Sequence, residues 1–76
     1  MNWRDHIELN PEVLVGKPVL KGTRLAVEFI LEMLAEGVSE QEILANHPRL
    51  TREGILACIA YATEIVRSER VFPLSA

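Results

Sequence analysis

Between His47 and Glu53 the chain reads His-Pro-Arg-Leu-Thr-Arg-Glu, which gathers an imidazole, two guanidinium groups, a hydroxyl and a carboxylate. Such groups are suited to recognition by hydrogen bonding. An arginine can bridge O6 and N7 of guanine, and a glutamate can accept from N4 of cytosine. If a helix opens near Thr51 and enters a major groove, Thr51, Arg52, Glu53 and Leu56 meet base edges. Arg49 and His47 then lie nearer the phosphates, and Lys17, Lys21 and Arg24 supply further cations that can follow the backbone. Bond-breaking chemistry has much less to work with. His6 and His47 have no Cys or carboxylate at metal-ligand spacing, Cys58 falls at core spacing as a small apolar residue, and no complementary acid–base pair can be named. Gly16-Lys17 invites comparison with a phosphate-binding loop, but Pro18 stands where Ser or Thr is required. We therefore expect no catalytic residue, no metal, no cofactor and no enzymatic activity.

The elements that must position this cluster are legible as three helices behind an extended arm. Residues 1–25 carry an alternating Ile7-Glu8-Leu9 and short β-prone runs, Val13-Leu14-Val15 and Val19-Leu20, with turn signals at Asn10-Pro11, Gly16-Lys17-Pro18 and Gly22-Thr23. They predict a small hairpin or arm that must lie on the helices, because an isolated hairpin is barely stable. A first helix is expected from Ala26 to Glu36, stopped by Gly37, with Val27, Ile30, Leu31, Leu34 and Val38 on the core face. Ser39 and Glu42 form a capping box for a second, short helix, which Pro48 ends by disfavouring helical geometry at His47. Thr51 caps a third helix over about Arg52 to Glu69, with Ile55, Cys58, Ile59, Ala62 and Val66 at helical spacing. Short capped helix, tight turn and longer capped helix together make a helix-turn-helix candidate. The division expected is a β-arm at 1–25, a three-helix core at 26–69 and a tail at 70–76; Arg67, Arg70, Phe72 and Leu74 are expected either to engage a partner or simply to pack or stay disordered.

Composition bounds the rest. The chain has 76 residues, 49% of them hydrophobic but only 5% aromatic, so its apolar content is mostly aliphatic. A chain this short buries roughly 60% of its unfolded surface, and the apolar excess predicts a homodimer or higher oligomer. The third helix is apolar beyond one stripe, so Leu56, Ala57, Ala60 and Tyr61 are expected at the dimer interface, joined by Phe29 and Met33 of the first helix. No apolar run reaches the ~20 residues that span a bilayer, and Met1 to His6 lacks the apolar core of a signal peptide; a cytoplasmic, membrane-free protein is expected. The net charge is −3, yet it is uneven: residues 26–48 carry Glu28, Glu32, Glu36, Glu40 and Glu42 with no Lys or Arg. The acidity is confined to the centre, which leaves the arm and the His47–Glu53 segment free to form basic surfaces.

Three segments carry a family resemblance. Gly-Lys-Pro-Val-Leu-Lys-Gly-Thr-Arg-Leu (16–25), Leu-Ala-Glu-Gly-Val-Ser-Glu-Gln-Glu-Ile-Leu (34–44) and His-Pro-Arg-Leu-Thr-Arg-Glu-Gly-Ile-Leu-Ala-Cys-Ile-Ala-Tyr-Ala (47–62) closely resemble the domain-of-unknown-function family 433 over residues 7 to 66. The chain departs from the usual pattern at Ala26, where a helix-starting Pro is common, at His47, where Tyr is usual, and near Gly54, where Asp or an equivalent is usual. The resemblance implies a mainly α, homeodomain-like or winged-helix-like DNA-binding unit of the antitoxin (VapB) type, paired with a PIN-like nuclease toxin. It implies a double role, binding operator DNA and neutralising the toxin. A rival reading is a protein-interaction module that holds a toxin or another enzyme without specific DNA contact.

Overall fold

The computed structural model describes residues 1–68, and over these the chain is mainly helical. Strands β1 (Ile7–Glu8) and β2 (Val19–Leu20) form a two-stranded antiparallel sheet in which Ile7 pairs with Leu20 and Glu8 with Val19. Helices α1 (Val27–Ala35), α2 (Glu40–Asn46) and α3 (Arg52–Ser68) follow. Short 3-10 turns occupy Trp3–Asp5 and Leu14–Gly16. The expected end of the third helix at Glu69 and the tail with Arg70, Phe72 and Leu74 lie outside the described residues.

The helix boundaries follow from local chemistry. Ala26 offers no side-chain cap and instead bridges Val19 in extended geometry, while the first free N–H of α1, at Val27, donates to the Pro18 carbonyl at 2.9 Å. At the other end Gly37 takes φ +87°, Gly37 N–H donates to the Leu34 carbonyl and Val38 N–H to the Met33 carbonyl, both at 3.0 Å. That pair of bonds is a Schellman stop, and it explains the glycine. Ser39 Oγ accepts from the Glu42 N–H at 3.1 Å and Thr51 Oγ1 from the Gly54 N–H at 3.1 Å, so both caps are made, but the return bond from the Ser39 N–H to the Glu42 carboxylate that would complete the box is not. Because Ser39 satisfies an N–H that α2 cannot bond internally, Ser39→Ala is expected to lower stability by about 1 kcal/mol in urea unfolding.

The arm follows expectation at Ile7-Glu8 and Val19-Leu20 and departs from it between them. Val13-Leu14-Val15 forms no strand; Leu14, Val15 and Gly16 turn through φ values of +47°, +57° and +78°, and the strand that pairs with Val19-Leu20 is Ile7-Glu8. Val15 is 95% exposed, so its β-propensity has nothing to pack against. The turn signal at Asn10 is met, with Asn10 Oδ1 accepting from the Glu12 N–H at 2.9 Å.

One core joins sheet and helices. Ile7, Val19, Leu20, Val27, Ile30, Ile43, Leu50, Ile55, Ala57 and Cys58 are buried, and Leu31, Met33, Leu34, Val38 and Tyr61 pack around them. Gly54 is buried as well: a Cβ there would lie 3.2 Å from Leu50 Cδ1 and 3.5 Å from Leu20 Cδ2. The glycine lets β2 and the α2–α3 turn close onto α3. Burial of Cys58 raises its thiol pKa from 9.0 to about 11. A group held neutral by the fold favours unfolding once the unfolded thiol ionises. Stability is therefore expected to fall as pH rises from 9 toward 11, with a smaller fall in Cys58→Ala, measured as urea midpoints across that range.

The interface expected on α3 does not form one outward face. Ala57 is fully buried inside the chain, where its small side chain admits the neighbouring elements. Tyr61 receives the edge of Trp3, with ring centroids 4.8 Å apart, and Met33 packs against the core. Leu56 and Phe29 do remain exposed. Conversely Ile59 and Val66, expected in the core stripe, are 43% and 65% exposed, because the second half of α3 runs past the elements that bury Ile55 and Cys58.

Candidate nucleic-acid interface

Two turns, distant in sequence, meet at one end of the molecule. The first links β2 to α1. Gly22 adopts φ +76°, Thr23 Oγ1 donates to the Leu20 carbonyl at 2.8 Å and accepts from the Leu25 N–H at 3.0 Å, and the Leu20 N–H donates to the Leu25 carbonyl. The segment Lys21-Gly22-Thr23-Arg24 is thereby a closed loop that leaves Lys21 and Arg24 exposed. The second turn links α2 to α3 and is closed by the Leu50 N–H donating to the His47 carbonyl at 2.9 Å. Arg49 ties the two together, its Nη1 donating to the Gly22 carbonyl at 3.4 Å.

A cleft of about 230 Å³ lies between these turns, lined by Thr23, Arg24, Leu25, Asn46, His47, Pro48 and Arg49. Arg24 and Arg49 also line a neighbouring hollow with Glu8, Val13, Gly22 and Thr23. Two guanidinium groups thus flank a notch between the β2–α1 and α2–α3 turns, with Glu8 also at its edge. His47 is steadied by Phe29, whose ring meets it edge-on at 5.7 Å between centroids. Phe29 is therefore engaged in part by the site.

The remaining candidates divide. Arg52 and Glu53 are exposed at the start of α3, but Arg52 Nε lies 3.0 Å from Glu40 Oε1, so part of its charge is already met. The Thr51 hydroxyl accepts from the Gly54 N–H as a cap. Lys17 does not join the cluster. It pairs with Glu28 of α1 on another side of the molecule, and that hydrogen bond and charge raise its ammonium pKa above the ordinary lysine value. The basic end comprises Lys21, Arg24 and Arg49, with Arg52 partly compensated. Among the described residues no group of three or more His, Cys, Asp or Glu is placed to hold a metal ion.

A second cluster escaped sequence reasoning. The Trp3–Asp5 turn straps the second half of α3: Trp3 Nε1 donates to Glu64, Arg4 Nη2 lies 3.4 Å from Glu64 Oε1, and the Arg4 guanidinium stacks 4.4 Å from the Trp3 ring centre. The available signal was Asn2, whose Oδ1 accepts from the Arg4 N–H at 3.1 Å and caps the turn. No helix among the described residues is long and apolar enough to cross a membrane.

A family model described as protein of unknown function (DUF433) matches residues 7–62. No curated protein matches, and no solved structure matches.

Proposed function

The chain belongs to the DUF433 family, and from that premise we propose that it is a small antitoxin-type regulator that binds operator DNA through its α2–α3 helix-turn-helix. In this reading the three helices act as a homeodomain-like unit, with β1 and β2 as a short wing. The observation that carries it is the meeting of the Lys21–Arg24 loop with the His47–Arg49 turn at the start of α3. Folding brings three cations, none of them in an ion pair among the described residues, to one end of a chain whose net charge is −3. Arg24 and Arg49 take phosphates on either side of the notch, and Arg52 and Glu53 face base edges. The acidic column of α1, with Glu28, Glu32 and Glu36 exposed, serves the second half of the role by opposing the basic surface of a PIN-like nuclease toxin.

The alternative, a protein-interaction module without specific DNA contact, draws on the Glu40–Arg52 pair, which turns one candidate base reader toward its own chain. Gel-shift titration of the full chain against the DNA upstream of its own gene separates the two. A specific shift that survives excess unrelated duplex supports the regulator; binding no tighter than to unrelated duplex leaves the interaction module.

A further inference from the structure

The second half of α3 carries a face that the rest of the described chain leaves open. Ile59, Ala62 and Val66 repeat at the three- and four-residue spacing of a helix-pairing seam. With Leu31 of α1, Thr63 and Arg67 they line an apolar groove of about 410 Å³. Ile65, two turns beyond the buried Cys58 on nearly the same meridian, is 41% exposed. We propose that this groove is the seam at which two copies of this chain associate.

Three features favour a second copy as occupant. The face is self-complementary in shape, because the ridges Ile59 and Val66 stand on either side of the small Ala62. A two-fold copy can set its ridges into the other's low point, as an isologous contact requires. It is balanced in charge: Arg67 lines the groove on its α3 side, and the exposed Glu32 follows Leu31 along α1; neither makes an ion pair among the described residues, though Glu32 also acts on the Lys17 ammonium. A uniformly basic or acidic partner meets repulsion at one rim, whereas an identical face brings one charge of each sign. Finally, a chain of this size gains by pooling apolar surface. The seam differs from the one the apolar width of α3 suggests, since Ala57 and Tyr61 are committed within the chain.

The test is sedimentation velocity on the full chain, with Val66→Asp as the variant. Val66 is 65% exposed, so its replacement leaves the fold intact, checked by an unchanged circular dichroism spectrum. The expected result is twice the chain mass for the native protein and a single-chain mass for Val66→Asp. A second measurement uses Thr63→Cys, near the expected dyad, oxidised with copper-phenanthroline. The expected result is rapid covalent dimer, abolished when Val66→Asp is added, with Glu42→Cys cross-linking at least ten-fold more slowly. A native chain that sediments singly, a Val66→Asp dimer of undiminished affinity, or equal cross-linking at positions 42 and 63 overturns the proposal.

Discussion

Replacing Arg24 and Arg49 together by alanine is expected to weaken binding to the upstream DNA by ~100-fold, at about 1.4 kcal/mol for each guanidinium removed. The slope of log affinity against log salt should fall by about two, one for each phosphate no longer neutralised. Stability should hardly change, because both side chains are exposed and the Arg49 bond to the Gly22 carbonyl is long at 3.4 Å. Arg52→Ala should cost less, since that guanidinium already meets Glu40, and Lys17→Ala should cost nothing, since Lys17 sits with Glu28 elsewhere. Gel shifts over a range of salt concentrations provide the check. If the double variant keeps native affinity and salt slope, the notch is not where DNA sits.

Ile30→Ala should largely unfold the chain. Ile30 is wholly buried between α1 and the rest of the core, and truncating such a side chain costs ~2–5 kcal/mol through forfeited transfer energy and the cavity left behind. A domain of this length has roughly 4–11 kcal/mol in total, so a single deletion removes much of it. The neighbouring Phe29, 41% exposed, gives the contrast: Phe29→Ala should cost far less, releasing mainly the ring of His47. Thermal melts of the two variants by circular dichroism should differ by more than ~10 °C, since each kcal/mol moves the midpoint by ~4–8 °C. Near-equal midpoints would mean that the α1 stripe is wrongly oriented.

The helices were legible because their ends are written in single residues. Ser39, Thr51 and Gly37 each solve a local bonding problem that the residue type announces. The arm was less so. Leu14 and Val15 favour extended backbone, yet they enter left-handed geometry because Gly16 and Pro18 must deliver Val19 to the β1 strand, a demand that arises only from the tertiary pairing. Half of the candidate site could be read directly, as the cations of His47–Glu53. That Arg24 joins them while Lys17 does not depends on where the Gly22 turn lands, and spacing along the chain says nothing of it. The faces of α3 misled for a related reason. Periodicity assigns Ile59 and Val66 to the side that holds Ile55, but whether that side is covered depends on what packs over it, and there Leu31 of α1 lines an open groove with them.

The strap that Trp3–Asp5 lays across α3 has a consequence for the order of events during synthesis. Trp3 leaves the ribosome about sixty residues ahead of its partners Tyr61 and Glu64. Until those are made, Ile7 and Leu20 also lack the α3 side chains that cover them. The early chain must keep its apolar arm unpartnered while α1 and α2 form, and the loop closed at the end spans nearly all of the described residues. Pairings of such separation slow folding, so the strap should be the last native element to dock and the first to open.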